Sequence, residues 1–466
     1  MMPTLYIIMN SKNNIIKIFK IDYKKILGET IMRLLNVQIK NFKSFNDISI
    51  DLNNFNILIG ACASGKSNFL EIFKFLKDIP EDFERAISKH GGDYYFKNLN
   101  LNTTDNPCYL NASFINDDSS YLFPIIKMDS DSKYQNIFLL DFKHIDYELQ
   151  FNLNTNDTFI VLSESIKFTC NFYKMDEKEK FKEIDDCLDE NHFLFENSFY
   201  IKNNDGNFKI ELVEKNDYFD EKDIIPDYLI HMTETNLNDI KKEKRLIINS
   251  PLSSTPIPWS SFFKNMRFYD FQPKLCKSIG LIGGEPILTE HGDNLPVILD
   301  NILKDDVKRK KFLNLLGNLL PNINNIEVEK VIEDHRIFKL FEDYSNISIP
   351  APLVSDGTSD IIALIVALYF EKGDFIFIEE PERNIHPALL SKIVYMIKEA
   401  SNKKQIIITT HSPEVLKSAD LNDIFLISRD TNGFSVISKP INNEILKPFI
   451  DELGIDEVYI DDYLGL

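Results

Sequence analysis

The residues that could do chemistry begin where Gly60-Ala61-Cys62-Ala63-Ser64-Gly65-Lys66-Ser67-Asn68 follows the apolar stretch Ile57 to Ile59. Glycines at both ends let backbone N–H groups close around an anion, and a helix starting at Lys66 adds partial positive charge. Lys66 would neutralise the terminal phosphates of a nucleoside triphosphate such as ATP, and Ser67 would hold Mg²⁺. Phe69, Leu70, Ile72 and Phe73 continue at helical spacing, so the complete GxxxxGKS pattern has the strand, loop and helix context that a phosphate-binding loop needs.

Three later stretches carry matching chemistry. Phe375 to Ile378 is an apolar run that ends in Glu379-Glu380-Pro381. Carboxylates at the C-terminal end of a buried parallel strand stand beside a phosphate loop, where Glu379 would hold Mg²⁺ and Glu380 would orient or deprotonate an attacking water. Gln405 to Thr410 delivers His411, with Ser412 and Pro413 suited to start a helix, and His411 is expected to meet the γ-phosphate. Ser355-Asp356-Gly357-Thr358 is a polar, glycine-bearing turn at another helix start. It cannot cap the phosphate already held by the loop at Lys66, so its expected use is the nucleotide of a second subunit.

These stretches need an α/β frame, and the hydrophobic pattern supplies one in pieces. Strands at 33–40 and 48–52 and the strand before Gly60 come in quick succession, and they are expected to open an ATPase lobe over 32–100. Period-two segments at 109–115, 145–152, 159–168 and 208–213 predict a β-rich antiparallel lobe over 101–217. Leu295, Ile298, Leu299, Ile302 and Leu303, then Phe312, Leu315, Leu316, Leu319 and Leu320, predict helices within a helical insertion over 218–325. From 326 to 466 the expected order is a strand pair at 326–341, helix 359–371, strand 375–378, helix 387–400, strand 405–409, helix 413–418 and strand 424–428. Residues 1–31 read as an N-terminal extension: Met32 opens the domain proper, or else the extension adds a strand pair at its edge. The lobe bearing Gly60 and the lobe bearing Glu379 must share one sheet.

Composition bounds the partners. With 466 residues the chain holds about two or three domains. A net charge of −20 disfavours unaided nucleic-acid binding, although Lys241 to Arg245 and Lys308 to Lys311 are local basic clusters. Cys62, Cys108, Cys170, Cys187 and Cys276 lack ligand or disulfide spacing, which fits a reducing cytoplasm and no metal beyond the nucleotide's Mg²⁺. The longest apolar run, Ile361 to Phe370, falls short of the ~20 residues of a membrane span.

With Asn41-Phe-Lys-Ser-Phe45, Gly280 to Leu303 and the tail from Ile427 added, these motifs resemble the ATP-binding-cassette ATPases of the RecF, SMC and OLD type, and more narrowly their single-chain prokaryotic AAA-labelled members. The resemblance spans nearly all of 32–466, whereas 101–250 matches only in style. It implies a P-loop ABC-ATPase head of mixed sheet and helices. It also implies a homodimer with two ATP molecules sandwiched between phosphate loop and signature turn, hydrolysis that opens the dimer, and work on DNA in repair or phage defence with a partner effector. The chain departs from the family pattern in having Cys62 where asparagine is usual, an SDGTS signature, Glu379 in place of aspartate, and His386 where many members place aspartate. Gln150 falls mid-strand, a poor position for the glutamine of the Q-loop. The residues after His411 are too few for the Toprim domain of an OLD nuclease, so a nuclease is expected as a separate chain. The long β-rich insertion argues against a transporter subunit. The rival reading is a nucleotide-dependent scaffold or toxin-control switch without hydrolysis.

Overall fold

A computed structural model describes residues 5–7, 19–21, 32–98, 106–116, 122–128, 134–154, 158–175, 192–204, 206–216, 218, 244–250, 263–283, 287–345 and 347–460. Cys187, the start of the first basic cluster at 241–243 and most of the 1–31 extension lie outside them. The contacts divide the chain into two compact units, one of residues 1–52 and 75–264, the other of residues 53–74 and 265–466.

In the first unit an antiparallel sheet runs in the order 207–212, 193–204, 158–175, 134–154, 108–116, 32–42 and 45–51, with 122–128 paired beside 134–154. Met32–Phe42 and Cys108–Asn116 alternate buried and partly exposed positions, as strands with one covered face do. Leu5–Ile7 and Phe19–Ile21 pair antiparallel with each other, and among the described residues they join no larger sheet. Inside this unit Glu164 accepts the backbone N–H groups of Ile247 and Ile248 at 2.5 and 3.2 Å, and complete burial pushes its carboxyl up to about 7.

The second unit is layered α/β. Its six-stranded sheet has the order 266–269, 375–379, 405–410, 55–59, 424–429, 435–438, parallel except for the last pair. Phe55–Ile59 is buried at every residue, as a central strand covered on both faces must be. The expectation that Gly60 and Glu379 share one sheet is met by this order. The strands at 32–42 and 45–51, expected to open the same lobe as Phe55–Ile59, pair within the antiparallel sheet of the first unit. Their alternating burial suits a one-sided sheet, whereas the fully buried strand cannot tolerate their polar positions.

Around this sheet pack helices Leu295–Leu303, Asp306–Leu319, Asp356–Tyr369 and Pro387–Ala400, whose apolar faces merge into one core. Asp356–Tyr369 is buried from Ser359 through Leu368. Ile323–Ile332 and His335–Glu342 form the expected strand pair. Met266–Tyr269, an edge strand within the segment read as helical, is too short to show a period and is set by its pairing with Phe375–Glu379. Among the described residues no helix is long and apolar enough to cross a membrane.

Candidate functional site

Register brings the chemistry together. Glu379 pairs with Thr409, and Thr410 pairs with Ile59. Gly60, Glu380 and His411 therefore each follow the C-terminal end of one of three adjacent parallel strands, which is where open α/β sheets place their ligands.

The loop from Gly60 to Ser67 is held open by its backbone. Ala63 at φ 62° and Gly65 at φ 119° take left-handed conformations, and between them the Ser64 N–H donates to the Ala61 carbonyl at 3.2 Å. A side chain at Gly60 would run into the Ile427 carbonyl, so that glycine is required by close approach. Arg429 donates from Nε and Nη2 to the Ala63 carbonyl at 3.1 and 3.0 Å, and Ser435 donates to the Ser64 carbonyl at 2.6 Å. The loop is thus braced by the hairpin of Ile424–Arg429 and Ser435–Ser438. Cys62, Ala63 and Ser67 are exposed, and Ala61 and Asn68 half-buried. Buried Lys66 folds back to donate to the Gly60 and Ala61 carbonyls at 2.7 and 2.8 Å. Burial lowers the Lys66 pKa, against the opposing charges of Cys62 and Glu380. This concave, amide-lined cradle with one ammonium and an exposed hydroxyl fits a triphosphate.

Facing it, Glu380 sits at φ 43°, a left-handed conformation that non-glycine residues adopt mainly at functional sites. Its backbone N–H donates to the Thr409 carbonyl at 3.0 Å. His411 Nε2 lies 3.6 Å from Glu380 Oε1. Burial, then the Lys66 charge, lowers the pKa of His411 and favours a neutral imidazole. Glu379 is pushed upward by burial, with Lys74 opposing and Asp270 and Glu290 adding to the rise. Among the described residues no group of three or more His, Cys, Asp or Glu could hold a metal. A nucleotide-bound Mg²⁺ would therefore rest on one or two side chains, such as Ser67 and Glu379, and on the phosphates.

Several neighbours escaped the sequence reading. Glu382 accepts from Thr410 Oγ1 at 2.5 Å and from the His411 N–H at 3.2 Å, which fixes the turn that presents His411. Lys74, on the helix Lys66–Asp78, pairs with Glu290 at 2.7 Å. Arg383 reaches both Glu380 and Asp270. A polar residue just past an apolar strand was the available signal for Asp270 and Glu382; nothing local marks the others.

Ser355 caps the helix Asp356–Tyr369, accepting from the Thr358 N–H at 3.2 Å. Asp356 is ion-paired with Lys277, which also donates to the Val354 carbonyl at 3.1 Å. A side chain at Gly357 would strike the Asn384 carbonyl, so the turn seats directly on the loop after Glu380.

The chain is similar to several known proteins. A family profile described as "AAA domain, putative AbiEii toxin, Type IV TA system" matches residues 55–168 and 178–417, most of the chain. "Retron Ec83 probable ATPase" of Escherichia coli is 23% identical over 158 residues, 30% of this chain and 28% of that protein. Septu protein PtuA of Bacillus thuringiensis is 32% identical over 92 residues, 18% of this chain and 22% of that protein. The chain thus aligns with under a third of the length of either curated relative. Similar solved structures include an SMC head bound to the C-terminal winged-helix domain of ScpA, at TM-score 0.44 and 13% identity over 87% of this chain and 97% of that one. The SMC head domain from Thermotoga maritima gives a TM-score of 0.39 and 12% identity over 87% and 98%.

Proposed function

The chain belongs to this AAA-domain family, and on that premise we propose that it is a P-loop ATPase head of the SMC and RecF type that binds and hydrolyses ATP. The observation that carries the reading is the alignment of Gly60, Glu380 and His411 at three neighbouring strand ends. In this assignment the N–H groups from Ala61 to Asn68 and the Lys66 ammonium hold the triphosphate. Lys66 must leave the Gly60 and Ala61 carbonyls to do so. Ser67 and Glu379 would hold Mg²⁺, which would supply positive charge to the phosphates. Glu380 orients and deprotonates the attacking water, and neutral His411 donates an N–H to the γ-phosphate. Ser355, Asp356 and Gly357 cap the nucleotide of a second copy in a homodimer.

The toxin and TA-system wording of the family description, together with the resemblance stated above, supports a role in phage defence or DNA metabolism, exercised in the cytoplasm with DNA or a separate effector chain such as a nuclease. Phosphate release by wild type and Glu380→Gln, with and without DNA, tests the enzymatic part. Loss of a general base predicts a fall of about 100-fold or more with ATP binding retained. In light scattering, Glu380→Gln with Mg-ATP should run as a dimer. A wild type that binds ATP and releases no phosphate under any condition would instead be a nucleotide-dependent scaffold.

A further inference from the structure

Arg383 is tied to two carboxylates at once. Its Nε and Nη2 donate to Glu380 Oε2 at 3.3 and 3.1 Å, and Nη1 donates to Asp270 Oδ1 at 3.0 Å. Glu380, assigned above to the attacking water, therefore has one oxygen occupied by a guanidinium while the other faces His411. An oxygen already accepting two N–H bonds has little left to offer a water proton. The tight turn from Glu380 to Arg383, closed by the Arg383 N–H on the Glu380 carbonyl at 3.0 Å, keeps the pair adjacent.

A third carboxylate faces the same small cavity. Asp360, on the helix that Ser355 caps, lines it together with Glu379, Glu380 and Arg383. Asp360 is 6% exposed. Its Oδ2 accepts from Asn384 Nδ2 at 3.0 Å, but its Oδ1 is buried with no hydrogen-bond partner. An unsatisfied buried carboxylate oxygen is costly, and burial pushes this carboxyl up to about 6. A guanidinium is the group that would satisfy it. Arg383 directly precedes Asn384, which is already seated there, and its own side chain is 44% exposed, so exchanging its present carboxylate partners for Asp360 would not open the core.

We propose that Arg383 is a positioning residue with two seats: on Glu380 and Asp270 it holds the hydrolytic carboxylate back, and on Asp360 it releases it. Asp360 lies one turn beyond Ser355, and Gly357 packs on the Asn384 carbonyl, so engagement of that helix start by an anion is felt where Arg383 chooses its seat. The proposal rests on the hydrolysis reading above.

The test uses the full chain, with ATP binding measured first by a fluorescent analogue and phosphate release second. Losing one such contact corresponds to about a three- to tenfold change in rate. Arg383→Ala should raise kcat by that factor with KM unchanged, and Arg383→Lys should raise it less. Asp360→Asn, a near-isosteric change, should lower kcat by a similar factor, and the double variant should behave as Arg383→Ala alone. Arg383→Ala no faster than an active wild type, Asp360→Asn equal to wild type, or a double variant as slow as Asp360→Asn would each overturn the two-seat proposal and leave hydrolysis standing. Wild type and Arg383→Ala that both bind ATP and release no phosphate would overturn the hydrolysis reading and this proposal together.

Discussion

Two helices of the α/β unit begin at glycine-bearing turns, and they treat their N-termini in opposite ways. Before Lys66 the left-handed Ala63 and Gly65 leave an amide-lined hollow, and the ammonium bends back onto the loop's own carbonyls. Before Asp356 the Ser355 hydroxyl already occupies the Thr358 N–H, and Asp356 is held by Lys277. An amide-lined turn at a helix N-terminus attracts an anion as it stands. A self-capped start gives up about 1 kcal/mol of capping before it can accept one. On the proposed reading the first helix is a receptor for the triphosphate, and the second engages late, on an anion brought to it.

The largest break in this comparison is Lys66→Ala. It removes charge-assisted bonds to the phosphates, and ATP affinity should fall by about 100-fold or more in a direct binding measurement. Retention of wild-type affinity would remove the receptor role from the first helix start. Next comes Ser355→Arg, which should leave ATP binding within about twofold of wild type, since no cap contact is made to the subunit's own nucleotide, yet abolish phosphate release. Mixing the two variants should rebuild one intact composite site per heterodimer and recover part of the activity. Recovery no greater than the sum of the separate preparations would mean that each subunit works alone.

The contrast between the two starts was partly legible in the sequence. Gly60 to Asn68, Glu379-Glu380, His411 and Ser355 to Gly357 are contiguous, so their spacing carries their chemistry. The strands at 375–379, 405–410 and 424–429 announced themselves as apolar runs between polar ends. What decides how the sites behave came from far away in the chain. Arg429 lies 366 residues from the Ala63 carbonyl it braces, and Arg383 lies 113 from Asp270. No local period records such a pairing. Met32–Phe42 was grouped with the ATPase lobe for a related reason: it stands close in sequence to Phe55–Ile59, whereas its pairing with Cys108–Asn116 is set by residues far along the chain.

Arg429→Ala sharpens the comparison from the side of the first helix start. It leaves every phosphate-facing group in place and removes the brace on Ala63 together with the Arg429 bond to the Gly433 carbonyl in the adjoining hairpin turn, so ATP affinity should weaken by about three- to tenfold, the worth of the lost bonds. Isothermal titration would show it, and an unchanged affinity would mean that Ala63 and Gly65 hold the hollow open unaided.

The smallest effect asks which helix start the triphosphate covers. Cys62 is exposed within the first turn, whereas Cys108, Cys170 and Cys276 are buried. Burial raises all three buried thiols, Cys108 and Cys276 to about 12, which leaves them almost without reactive thiolate near neutral pH. N-ethylmaleimide followed by peptide mapping should therefore modify Cys62 ahead of these three, and Mg-ATP should slow that modification by covering the loop. The two variants then separate the two starts. Ser355→Arg should keep the protection, because its own loop still fills, whereas Lys66→Ala should lose it at the same ATP concentration. Cys62→Asn should remain active and lose the labelled peptide, showing that the thiol reports on the loop without serving it. Labelling of wild-type Cys62 at one rate with and without Mg-ATP, at a concentration that saturates binding, would place the triphosphate away from this loop and undo the distinction between a standing receptor and a late partner.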